Sequence, residues 1–140
     1  MGIKFIVKTT PPGPPVLECP QLTNNNGYIE VFVWNDSLYE NGLINPGEGV
    51  VEDATVTLYN SSMLPIATST TDPSGIVLFT TVLSGTYYIE VEKIAYSPTL
   101  KGVGANPLSN SHINVGTGIT DAIVFNDSSG THYTNAGLVI

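Results

Sequence analysis

The sequence predicts an all-β protein, with one β-sandwich domain preceded by an extended N-terminal arm. From Tyr28 onward, apolar residues recur with a period of two, the spacing that places them on one face of a strand. These short runs are separated by clusters of Gly, Pro, Asn and Asp, and no stretch keeps a helical period over two turns. At 140 residues, the chain is long enough for one domain with a moderate core.

Residues 1–26 are predicted to form the arm and residues 27–140 the domain. Four prolines within residues 11–15 fix φ and favour extended or polyproline-like geometry. Before them, "IKFIVK" (3–8) has the pattern of a short strand with nothing in its own segment to pair with. We expect this segment to dock on a protein partner by adding a strand to an exposed sheet edge. The residues assigned to that contact are Ile3, Phe5, Val7, Pro11, Pro12, Pro14 and Pro15.

The first two strands of the domain are predicted from clear alternation. In "YIEVFVW" (28–34), Ile29, Val31 and Val33 share one face, whereas Trp34 lies on the opposite face with Glu30. In "ATVTLYN" (54–60), the inward-facing residues are Ala54, Val56 and Leu58.

The remaining strands are bounded by turn residues. "IATSTT" (66–71) predicts a short strand, and "TDPSG" (71–75) a turn in which Asp72 caps the reversal that Gly75 closes. "IVLFTTV" (76–82) and "TYYIEVEK" (86–93) then form a hairpin through "LSG". After a loop at about 97–118, "DAIVF" (121–125) and "HYTNAGLVI" (132–140) complete the sandwich.

Composition and charge exclude several classes of function. The chain has 4 Lys+Arg against 12 Asp+Glu, a formal net charge of −8, so the basic surface that nucleic acid or an anionic membrane requires is missing. Cys19 is alone, which excludes an intrachain disulfide and a four-thiolate metal site. No apolar run approaches the roughly 20 residues of a membrane span. The first residues lack the apolar core of a signal peptide, so we expect a protein made and kept in a cytoplasm unless it is exported by another route.

No motif predicts catalysis. His112 and His132 are the only histidines, and neither has the spacing of a zinc site. The chain contains no nucleophile elbow, and its glycine-containing loops are too weak a match for a phosphate-binding loop. We therefore predict surface histidines and no enzyme activity.

The order of these motifs resembles that of the SdrD B-like domain, a relative of the collagen-adhesin (Cna) B-type and prealbumin-like domains. The ending "TNAGLVI" resembles the family's closing strand, with Asn135 in place of an Asp. The resemblance covers about residues 27–140 and implies an immunoglobulin-like sandwich. The residues that carry it are Val33–Trp34, Asn41–Gly42, Gly47–Glu48, Thr55–Leu58, Thr71–Phe79 and Leu83–Val91.

The resemblance also implies a calcium loop after the first strand. Calcium requires several hard oxygen ligands, carboxylates among them, and this loop departs from the family's pattern by one extra residue and a missing Asn. Two interpretations therefore stay open: a bound Ca²⁺, or a solvated loop held by side-chain-to-backbone hydrogen bonds. No other cofactor is expected. The candidate ligands are Asp36, Glu40, Asn41, Asn45 and Glu48.

Cna B-type domains often contain a Lys–Asn isopeptide crosslink, which needs a lysine on an early strand. The strand at 28–34 has none, and Lys93 and Lys101 come after the fifth predicted strand. We therefore expect no crosslink.

Two classes of function remain, and the sequence favours the first. It is a bacteriophage capsid decoration (auxiliary capsid) or other virion surface protein, made in the host cytoplasm and docked through its arm on a major capsid protein, another virion protein or a second copy of itself. The alternative is a bacterial cell-surface adhesin or stalk module. A third option is a carbohydrate-binding accessory domain that uses exposed tyrosines as its platform: Tyr39, Tyr59, Tyr88, Tyr96 and Tyr133.

Overall fold

The computed structural model describes residues 27–140, apart from the side chains of Thr81 and Ser129. The predicted arm, with its proposed contact residues and Cys19, lies outside the described residues. Within them, no helix is long and apolar enough to cross a membrane.

Two four-stranded sheets form the domain, as the alternating pattern predicts. The strands are β1 (Gly27–Asn35), β2 (Thr55–Asn60), β3 (Pro65–Thr70), β4 (Ile76–Val82), β5 (Gly85–Glu92), β6 (Ser97–Pro98), β7 (Ile123–Phe125) and β8 (Thr131–Val139). A single 3₁₀ turn, Asp127–Ser129, precedes β8. The sheet orders are β4-β1-β8-β6 and β3-β2-β5-β7.

The pairing of β1 with β8 sets the geometry of the whole domain. These two strands run parallel in continuous register from Tyr28 opposite Thr131 to Asn35 opposite Leu138. Every other pair of named strands is antiparallel. The first and last strands of the domain therefore lie side by side and point the same way.

The core lies between the two sheets and uses the residues that the alternation assigns to it. Ile29, Val31 and Val33 from one sheet are fully buried against Val56 and Ile89 from the other. Side chains at every second position point to one face of a strand, so this pattern alone identifies most of the core.

Trp34 departs from the prediction in its burial. It lies on the outward phase of β1, as predicted, yet only 1% of it is exposed. The reason is Gly137 on the neighbouring β8, where an added Cβ would lie 2.7 Å from Trp34 Cζ2 and 2.5 Å from Thr99 Cγ2. The indole therefore packs over a glycine and beneath the segment that contains Thr99, forming a second apolar layer outside the sheet.

The predicted turn between β3 and β4 is confirmed. The Asp72 side chain accepts hydrogen bonds from the backbone N–H groups of Ser74 (2.9 Å) and Ile76 (3.0 Å). Gly75 has φ +77°, and a Cβ there would lie 2.6 Å from the Val33 carbonyl oxygen. Glycine is needed both for its backbone conformation and for this close approach.

Candidate metal centre

Asp36 follows β1 directly and is completely buried. Its Oδ2 accepts a hydrogen bond from the Gly42 N–H at 2.7 Å and another from the Thr99 hydroxyl at 2.6 Å. Its own N–H donates to the Leu138 carbonyl at 2.8 Å. The carboxylate is therefore held by the loop and by the segment after β6, and the backbone of Asp36 is held by β8.

Glu48 and Asn45 close the other side of the loop. Glu48 Oε1 accepts from the Asn45 N–H at 2.9 Å, and the Glu48 N–H donates to the Asn45 carbonyl at 3.2 Å. These two bonds fix the Glu48 side chain against the backbone of Asn45 at the tight turn through Gly47, which has φ +90°.

Three buried oxygens at this loop accept no hydrogen bond from the described residues. They are Asp36 Oδ1, Asn45 Oδ1 and Glu48 Oε2. Leaving a buried acceptor unpaired costs about 1–3 kcal/mol, so three in one loop carry a substantial cost. A cation that binds all three would remove it.

The charges at the site also favour a bound cation. Burial raises the pKa of Glu48, and the neighbouring Asp36 carboxylate raises it further, while the N–H groups of Asn45 and Tyr39 oppose the shift. Two carboxylates close enough to perturb each other repel unless a proton or a cation lies between them.

The residues fit calcium better than a softer metal. The donor set is two carboxylates and an amide, all hard oxygens, and backbone carbonyls and water can complete the six to eight ligands that Ca²⁺ takes. Among residues 27–140, no three His, Cys, Asp or Glu side chains gather, so the amide oxygen of Asn45 would have to supply the neutral third donor of this set.

Of the five predicted ligands, three have a buried side-chain oxygen without a hydrogen-bond partner, namely Asp36, Asn45 and Glu48. Glu40 is exposed, and its backbone N–H donates to the Asp36 carbonyl at 2.6 Å. The Asn41 side-chain oxygen accepts from the Leu43 N–H at 3.0 Å, a local turn. The extra residue that disturbs the expected spacing is thus absorbed in the bend at 40–42, where Glu40 and Gly42 both have positive φ.

The family follows from a match along nearly the whole described domain. Residues 27–138 match the family model of the SdrD B-like domain. The chain belongs to this family.

Relatives of this SdrD B-like domain include two proteins of Staphylococcus aureus. The bone sialoprotein-binding protein of strain MRSA252 and the serine-aspartate repeat-containing protein E of strain USA300 are each 34% identical over 104 residues. Each match covers 74% of this chain but only 9% of the relative, so the chain spans about a tenth of the length of these relatives.

Solved structures confirm the fold. BcpA, the major pilin subunit of Bacillus cereus, matches with a TM-score of 0.50 and 14% identity over 81% of this chain and 30% of its own. The plantain pollen allergen Pla l 1 matches with a TM-score of 0.50 and 16% identity over 81% of this chain and 93% of its own. A bacterial pilin and a plant allergen share this sandwich, so the fold alone does not identify a function.

An ion pair that the sequence did not predict lies in the loop after β6. Lys101 Nζ donates to Asp121 Oδ2 at 2.7 Å and to Asn114 Oδ1 at 3.0 Å. The hydrogen bond and charge of Lys101 lower the pKa of the exposed Asp121 carboxyl. These contacts tie the loop together. The expectation of no crosslink stays a prediction.

Neither histidine is placed for catalysis. His112 Nδ1 accepts from the Asn135 N–H at 3.2 Å, and its Nε2 lies 2.8 Å from the Pro107 carbonyl, so backbone groups engage both ring nitrogens. His132 is half-buried rather than fully exposed, and burial, with His112 nearby, lowers its pKa. The SdrD B-like family, to which residues 27–138 belong, is one of structural domains.

The candidate tyrosines do not form one platform. Tyr59 and Tyr88 are cross-strand neighbours on β2 and β5, and the Tyr59 hydroxyl donates to Glu90 Oε1 at 2.7 Å. Tyr133 lies on β8 in the other sheet, and Tyr39 lies in the metal loop. Tyr96 lies in the turn between β5 and β6 and packs against the core. The five side chains are therefore distributed over both sheets, a loop and a turn.

Proposed function

We propose that this SdrD B-like domain is a load-bearing structural module of a bacterial cell-surface protein, and that Asp36, Asn45 and Glu48 bind a Ca²⁺ that stabilises it. The observation that supports this most directly is the parallel pairing of β1 with β8.

The described chain enters and leaves the sandwich at opposite ends. Eight residue pairs join β1 and β8, from Tyr28–Thr131 to Asn35–Leu138. At about 3.3 Å per residue, the first and last pairs are roughly 23 Å apart. Gly27 therefore lies at one end and Ile140 at the other, the arrangement that a spacer in a stalk requires.

The same pairing resists tension. Pulling Gly27 and Ile140 apart slides β1 along β8, so the hydrogen bonds of this ladder are loaded together. Separating an antiparallel hairpin from its open end would instead break its hydrogen bonds one after another. The parallel pair must therefore yield all at once.

The candidate metal loop contacts the C-terminal end of β8, where the chain leaves the sandwich. Asp36 contacts Leu138 through its backbone, and the Ile140 N–H donates to the Ser37 hydroxyl at 2.9 Å. A bound Ca²⁺ supplies positive charge between the Asp36 and Glu48 carboxylates. The loop, held in that shape, keeps its contacts to the end of β8.

The relatives support a role at the bacterial cell surface rather than the virion role that the sequence favours. A bacterial protein that binds a sialoprotein of bone has to meet it outside the cell. Neither staphylococcal relative is named as a virion protein. Whether this chain binds a host protein is left open, because the match covers only 9% of those relatives.

Single-molecule force spectroscopy tests this function. The full chain is pulled by its two ends and, in a second geometry, by its N-terminal end and residue 84, which follows β4. Because Gly27 lies opposite Val82, the second geometry opens β1 from β4 pair by pair. We expect a higher unfolding force end to end, and a further rise with Ca²⁺ in that geometry. Equal forces in the two geometries would refute a load-bearing role.

A further inference from the structure

An apolar cleft opens between the edge strands of the two sheets. β4 ends one sheet and β3 ends the other, and they lie on the same side of the sandwich. The cleft has a volume of about 320 Å³ and reaches inward to core side chains. Residues that line it include Leu58, Ile66, Ala67, Phe79, Val82 and Leu83.

The rim of this cleft is apolar and exposed. Ile66 is 52% exposed, Leu83 is 63% exposed, and Leu64 just before β3 is 60% exposed. Within residues 27–140, β3 pairs only with β2, and β4 only with β1. An edge that no other strand of the described residues covers, beside apolar side chains, is a template for an added strand.

We infer that this cleft binds residues 3–8 of a second copy of the chain, which add a strand beside β4. In "IKFIVK", Ile3, Phe5 and Val7 alternate with Lys4 and Lys8. A strand with this pattern presents three apolar side chains to the cleft and both lysines to the opposite face. The inference concerns a surface other than the metal loop and goes beyond the proposed function.

The position of the segment supports this occupant. Residues 1–26 join the domain at Gly27, which lies opposite Val82 at one end of the cleft. The 19 steps from Lys8 to Gly27 span up to about 60 Å when extended, several times the roughly 13 Å radius of gyration of a domain of this size. The prolines at 11–15 favour extension, so a neighbouring copy is a better acceptor than the segment's own domain.

Charge complementarity supports it as well. Two of the four lysines but only one of the twelve acidic residues fall in residues 1–26, leaving residues 27–140 with two lysines and eleven acids. Asp127 lies close enough to Tyr87, another residue that lines the cleft, to raise the pKa of that phenol by its charge. Lys4 and Lys8, about 13 Å apart in a strand, bring positive charge to a domain whose net charge is strongly negative.

Light scattering coupled to size exclusion tests the inference on the full chain over a concentration series. The arm variant is Phe5→Asp, the cleft variant is Ile66→Lys, and the control is Leu108→Lys, a 68% exposed apolar residue outside the cleft. We expect the wild type and the control to gain mass with concentration, and each of the other two variants to stay monomeric. Since Ile66 is half exposed, its replacement should leave the thermal melt unchanged, and Leu83→Lys provides a second cleft variant.

Mixing the arm variant with the cleft variant distinguishes binding to a second copy from binding within one chain. Phe5→Asp keeps an intact cleft and Ile66→Lys keeps an intact arm, so together they can form one complete interface. We expect a heterodimer from the mixture although neither variant associates alone. A wild type that stays monomeric throughout, a mixture that yields only monomers, or a cleft variant that associates as the control does would each overturn the inference. None of these results would alter the force or calcium measurements, so the two proposals fail separately.

Discussion

Replacing Asp36 with asparagine should abolish the response to calcium while leaving the fold intact. The amide oxygen can still accept from the Gly42 N–H and the Thr99 hydroxyl, which Oδ2 accepts now. The amide NH₂ then takes the place of Oδ1 and can donate to the unpaired oxygens of Asn45 and Glu48. Asp36→Asn therefore replaces the cation with hydrogen bonds and removes one of two adjacent negative charges.

The size of the expected Tm shift follows from the coupling of calcium binding to folding. A ligand present at 100 times its Kd stabilises the folded state by about 2.7 kcal/mol. Unfolding entropy is about 2.1 cal/mol/K per residue, or roughly 0.24 kcal/mol/K for residues 27–140. Calcium should therefore raise the Tm of the wild type by about 11 °C relative to chelator.

Thermal melts of the full chain, followed by circular dichroism in chelator and in excess Ca²⁺, measure this shift. Asp36→Asn should show almost no shift and should melt in chelator at or above the wild-type temperature. Glu40→Gln is the matched control because Glu40 is an exposed acid of the same loop, and it should keep the full shift. A wild-type Tm that is the same in chelator and calcium would refute the metal site, and a full shift in Asp36→Asn would refute its ligands.

Three further predictions address the site, the packing and the crosslink. In chelator, the free energy of unfolding should fall as pH rises through the folded-state pKa of Glu48, which lies above the ordinary 4.5. The reason is that the folded protein binds the Glu48 proton more tightly than the unfolded chain does. In a pH series of urea melts, Glu48→Gln should lack this decline, and parallel curves for the variant and the wild type would contradict the shift. Gly137→Ala should cost about 1–3 kcal/mol and roughly 4–12 °C in Tm, because the new Cβ overlaps Trp34 and Thr99; an unchanged melt and Trp34 emission would contradict this packing. Intact mass spectrometry should give the mass of the unmodified sequence, whereas a loss of one ammonia would reveal a crosslink.

The metal loop shows where sequence reasoning is strong and where it stops. Residue types and their crowding identify the loop and the two carboxylates, Asp36 and Glu48, that we propose as calcium ligands. Counting along the chain cannot separate Asn45 from Glu40 or Asn41, because the bend at 40–42 turns the latter two away. The contact of Asp36 with Thr99 joins residues 63 apart in sequence, and no local pattern contains it.

Neighbouring residues alone predict seven of the eight strands, the inward faces of β1 and β2, and the turn at Asp72–Gly75, because alternation and turn chemistry are local. The two-residue β6 falls inside the segment that is expected to be a loop. Long-range contacts bury Trp34 on the outward face of its strand, place β1 parallel to β8, and leave a cleft between β3 and β4. These features depend on which distant segments become neighbours. Gly137 is constrained because β8 lies beside β1, and the loop that carries the three unpaired oxygens contacts the end of that same strand.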